Sequence, residues 1–123
     1  MREHLARLAR ELALPASGLE PDWGIELADP VRLQEVLRFY AAQETDEWSP
    51  WVQAEYADLV FQSAEEVLGE GLPVPENDLR EFADRMAMAA PDRVRYWASL
   101  EEGVTDPWHM TGLLRSWGHG SPR

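Results

Sequence analysis

PWVQAEYADLVFQSAEEVL, residues 50–68, is the stretch on which the fold turns. Ser49 and Pro50 open it in the order of an N-cap followed by a first helical residue, where proline's missing N–H costs nothing. At about 100° per residue, Val52, Tyr56, Ala57, Leu59, Val60, Phe61, Ala64, Val67 and Leu68 spread over well more than half of the helix circumference. Trp51, Glu55, Asp58, Gln62, Glu65 and Glu66 hold the narrow remaining strip. A helix this widely apolar has to be covered from several sides. It is therefore expected at the centre of an all-α bundle, with its acids along one solvated face.

The flanking sequence supplies the covering helices. Leu5, Leu8 and Leu12 form a helical stripe that must end near Pro15. Leu33, Val36, Leu37 and Tyr40 form a second, opened by Asp29-Pro30; if it runs on to Trp48, Glu44 and Glu47 fall on the inward side with Leu33 and Tyr40. Leu79, Phe82, Ala83 and Met86 follow Asp78 and Glu81, which have capping-box spacing. Val94, Trp97 and Ala98 lie beyond Pro91, where a kink is expected. Leu113, Leu114 and Trp117 close the series after a third cap, Asp106-Pro107. Gly69, Gly103 and Gly118 stand where helices should stop. Residues 15–29 and 69–77 read as connections, and no stretch alternates as a strand does. The expectation is one compact domain of five or six helices over residues 1–118, followed by a flexible tail at 119–123.

Charge is the second strong signal. The net charge is −12, all eleven basic residues are Arg, and there is no Cys. Without Cys there is no disulfide framework, thiolate metal site or cysteine nucleophile. The acidity disfavours nucleic-acid and anionic membrane partners, whose phosphates need clustered Lys and Arg. The first residues lack the apolar run of a signal peptide, and no stretch has the roughly 18 apolar residues of a membrane span. The cytoplasm is the expected compartment. Residues 1–19 carry three Arg against two acids, residues 20–70 carry two Arg against thirteen acids, and residues 71–123 carry six Arg against eight. Between Arg38 and Arg80 lie ten acids and no base.

Two readings of that acidic stretch are open. In the first, Glu44, Asp46, Glu47, Glu55, Asp58, Glu65 and Glu66 form a face that docks a basic protein, with Trp48 and Trp51 as aromatic anchors at the Ser49-Pro50 turn. The chain is then a non-catalytic interaction module without cofactor, of the class of inhibitors, immunity proteins or antitoxins. The second rests on Glu44-x-x-Glu47 followed by Glu55-x-x-Asp58. Carboxylates three residues apart share a helical face, and two such pairs supply the oxygen ligands that Mg²⁺ takes.

With Tyr56, Phe61 and the later Gly71-Leu72-Pro73, this pattern resembles the all-α MazG-like nucleoside triphosphate pyrophosphohydrolases. The resemblance spans about twenty residues, and the seven residues between Glu47 and Glu55 make a shorter spacer than that family uses. It implies a Mg²⁺ site on Glu44, Glu47, Glu55 and Asp58. The histidines read as surface residues, and no nucleophile elbow or phosphate loop is present.

Overall fold

The computed structural model describes residues 2–17, 20–102 and 106–119. Seven α-helices run through them: α1 (Arg2–Glu11), α2 (Trp23–Leu27), α3 (Leu33–Ala42), α4 (Pro50–Gly69), α5 (Glu76–Ala89), α6 (Pro91–Trp97) and α7 (His109–Ser116). The all-α reading holds. Single 3-10 turns precede α3 at Pro30–Arg32 and α4 at Thr45–Glu47.

α4 is the axis of the bundle, packed by α2, α3, α5, α6 and α7. Its Tyr56, Leu59, Val60, Phe61 and Ala64 are all buried, as the wide apolar arc requires. Ser49 caps it as expected, its Oγ accepting the Val52 N–H at 3.2 Å. The polar groups that α4 carries into the core are satisfied there. Tyr56 Oη donates to the Val36 carbonyl at 2.7 Å, and Gln53 accepts from Tyr40 Oη at 2.6 Å while donating to the Thr45 carbonyl at 2.8 Å.

Five local expectations are corrected. The connection at residues 15–29 contains a helix, α2, seated by Trp23 and Leu27 in the core and by the close approach of Gly24 to α4. The second helix stops at Ala42, because Gln43 turns to extended backbone (ψ 155°); Glu44 and Glu47 therefore lie outside α3. Pro91 opens a separate helix after Ala90, whose backbone leaves the helical region (φ −146°, ψ 68°), where a kink was expected. Asp78 lies within the first turn of α5 and accepts from Gln34 Nε2 at 3.0 Å, so it is not a cap. Asp106-Pro107 pairs as a two-residue antiparallel strand, β2, with Glu101–Glu102, β1, and α7 starts two residues later. Of the expected tail, His119 is held by Asp84, its Nε2 lying 2.8 Å from the carboxylate; residues 120–123, like the Gly103 stop, lie outside the described residues.

Three helices end in the same way. After α4, Gly71 (φ 76°) donates to the Leu68 carbonyl and Leu72 to Val67; after α7, Gly118 (φ 92°) donates to Arg115 and His119 to Leu114. This is the Schellman closure, with glycine at the left-handed position. The stop after α4 is thus Gly71, with Gly69 still helical. After α1 the same two bonds run from Ala13 to Arg10 and from Leu14 to Ala9, but alanine occupies the left-handed position at φ 55°. A Cβ there costs roughly 1–2 kcal/mol. Ala13→Gly is therefore expected to raise the unfolding free energy by about 1 kcal/mol, net of glycine's greater freedom when unfolded. Urea denaturation giving no gain or a loss would contradict this geometry.

Candidate functional site

The thirteen acids of residues 20–70 do not form one surface. Among those read as a docking face, the fold separates carboxylates that close the structure from carboxylates that face solvent unpaired.

The inward set lies along α4. Glu55 is 6% exposed and accepts the Gly24 N–H at 3.1 Å. Burial pushes its carboxyl above the usual range; the Gly24 hydrogen bond opposes that rise, and neighbouring Asp58 adds to it. Asp58, also 6% exposed, accepts the Trp97 indole N–H at 2.8 Å and pairs with the Arg93 guanidinium. Glu65 is half-buried and closes the start of α7, accepting from the backbone N–H groups of His109 (3.2 Å) and Met110 (2.7 Å), with His109 Nδ1 at 2.9 Å. Two of those N–H groups are among the four that a helix start leaves unmatched. Glu66 is half-buried too and accepts from Gln62 at 3.3 Å.

The expected solvated strip is corrected here. Glu55 and Asp58 lie against α2 and α6, and they are removed from any docking surface.

The outward set lies at the turn before α4. Glu44, Asp46 and Glu47 are exposed, and their carboxylates have no ion-pair or hydrogen-bond partner among the described residues. Between them Thr45 is buried and pinned by Arg85, whose Nη2 donates to Thr45 Oγ1 at 2.8 Å while its guanidinium lies 4.7 Å above the Tyr40 ring. Trp48 is half-buried, edge-on to Tyr40, Tyr56 and His4, at centroid distances of 5.4, 5.6 and 5.2 Å. Burial holds the His4 ring below its usual pKa. Trp51 is half-buried against the core.

An open cleft of about 460 Å³ lies beside this turn, lined by Asp46, Trp48 and Pro50 on one side and by Arg85, Met88 and Ala89 of α5 on the other. Met88 is 88% exposed.

The four carboxylates of the MazG-like pattern are not gathered. Glu44 and Glu47 face solvent at the 3-10 turn, and Glu55 and Asp58 are buried along α4 with their own donors. Among the described residues, no group of three or more His, Asp or Glu is placed to hold a metal ion. The expected E-x-x-E helical face is lost because the chain leaves helix at Gln43.

Sequence reasoning missed Arg85, Met88, Arg93 and Gly24. Met88 alone left a trace: Met86 and Met88, two apart on a helix, cannot share a face, so one must point outward. Arg93 lies far along the chain from Asp58, and Arg85 from Thr45, and only the fold shows that the base-free run meets two bases. No helix among the described residues is long and apolar enough to cross a membrane. No protein-family model matches the chain, and no curated protein or solved structure matches it.

Proposed function

We propose that this chain is a non-catalytic interaction module that docks a basic protein at the cleft between the turn at residues 44–50 and α5. One observation carries the reading: three exposed, unpartnered carboxylates, Glu44, Asp46 and Glu47, stand beside an open cleft walled by Trp48 and the exposed Met88. Unpaired surface acids steer a cationic partner, while Met and Trp supply apolar area that a partner can desolvate. Arg85 is the one base in the cleft lining, and it is engaged by Thr45 and the Tyr40 ring. An inhibitor, immunity or antitoxin protein facing a basic target has this chemistry. Glu55, Asp58, Glu65 and Glu66 have donors inside the protein and take no part.

The test uses a partner recovered from the native host and measured in solution. Changing Glu44, Asp46 and Glu47 together to Lys is expected to lower the association rate roughly tenfold at low salt and to flatten its salt dependence, because steering is an ionic-strength effect. Met88→Ala is expected to act mainly on the dissociation rate. Both variants should melt with the parent, since exposed charges contribute little to folding. A basic partner that binds the triple variant and the parent alike would sink this reading.

A further inference from the structure

A second cavity, of about 470 Å³, lies between α1 and the segment leading into α2, away from the acidic turn. α1 joins the bundle through Leu5, Leu8 and Leu12 rather than by close backbone approach, and small residues on its cavity side leave space. Ala6, Ala9, Leu14 and Trp23 provide apolar lining, Arg2 and Arg10 provide cations, and Glu3 is the single acid. The volume is within the range that holds small ligands.

Three further facts single this cavity out. Trp23 forms part of the lining and is 2% exposed, so its ring reports on what enters, and its indole N–H is buried without an acceptor among the described residues. Arg10 has no ion pair among the described residues, and Arg2 spends one N–H on the Glu20 carbonyl at 3.0 Å. The strained Ala13 also lines the cavity, and backbone strain gathers at ligand sites.

We infer that this cavity binds a small amphiphilic carboxylate. Its apolar body lies against Ala6, Ala9, Leu14 and the Trp23 ring, and its carboxylate meets Arg2 and Arg10. A monoanion suits a lining that is mostly apolar with a net charge of one. The proposal is independent of the cleft before α4, so either can fail alone.

The probes are 4-phenylbutyrate and its neutral counterpart 4-phenylbutan-1-ol, followed by ¹H–¹⁵N NMR of the indole N–H groups, with Trp23→Phe assigning the Trp23 signal. The expected result is a saturable shift of the Trp23 signal with both probes, the acid binding roughly tenfold more tightly, as a charge-assisted contact allows. The double variant Arg2→Ala/Arg10→Ala should remove that preference and leave the alcohol's affinity unchanged. Ala6→Phe should abolish binding of both by filling the space. A Trp23 signal that does not move, equal binding of the two probes to the parent, or a preference that survives loss of both arginines would overturn the inference; the arginine variant keeps the test decisive if Ala6→Phe does not fold.

Discussion

Gly24→Ala is expected to destabilise the protein by about 3–5 kcal/mol, although alanine is the better helix former by roughly 1 kcal/mol. A Cβ at this position would stand 2.1 Å from the Glu55 carbonyl oxygen and 2.7 Å from both Leu59 N and Asp58 Cβ. Two of those three atoms belong to the α4 backbone, which cannot yield without breaking the central helix. α2 must instead lift by roughly 1 Å or more to restore van der Waals separation. Lifting would draw Trp23 and Leu27 out of the core and stretch the 3.1 Å bond from Gly24 N–H to Glu55, leaving a buried carboxylate without its donor. Overpacking and the lost hydrogen bond together exceed the propensity gain.

Gly112→Ala in α7 is the control. Nothing lies within 4 Å of its added Cβ, so propensity acts alone and stability should rise by up to about 1 kcal/mol. Guanidinium denaturation of both variants measures the difference; a loss under 1 kcal/mol at Gly24 would mean that α2 does not dock as described.

That contrast also marks what the sequence could tell. α4 was legible because its apolar residues cover most turns of the helix and only a central position satisfies them, and Ser49-Pro50 gives its start a local mechanism. α2 was not legible. Five residues, WGIEL, carry no period, and the helix exists because Gly24 lets its backbone rest on α4, a long-range fact. The acidic turn was legible as charge but not as geometry. Glu44, Asp46 and Glu47 stay outside, as read, while Glu55 and Asp58 looked equally solvated and are buried. Their difference comes from Gly24, Arg93 and Trp97, whose approach no local pattern encodes. Ala13 shows the converse: a left-handed closure was foreseeable near Pro15, but its occupant is the residue that pays most for being there among the three helix ends of this kind.

Asp58→Ala is expected to cost about 2–4 kcal/mol, and the way that loss divides distinguishes a structural carboxylate from a metal ligand. The larger part comes from Trp97, 1% exposed, whose indole N–H would be left buried without an acceptor, at roughly 1–3 kcal/mol. The pair with Arg93 adds less, about 1 kcal/mol, because the arginine side chain is 30% exposed and solvent screens it. Asp58→Asn separates the two. Its amide oxygen still accepts from Trp97 and only the charge is lost, so it should cost about 1 kcal/mol and no more than half of the alanine loss. Equal losses would put the energy in the charge, and a loss below 1 kcal/mol in both would mean that neither contact holds α6 to α4. The same variants weigh the hydrolase pattern. Both Asp58 oxygens already have protein donors, so millimolar Mg²⁺ is expected to shift the melting temperature of the parent no more than that of Asp58→Asn. A Mg²⁺-dependent gain in the parent that disappears in Asp58→Asn would show that the carboxylate exchanges its protein donors for metal, and would restore the catalytic reading over the interaction module.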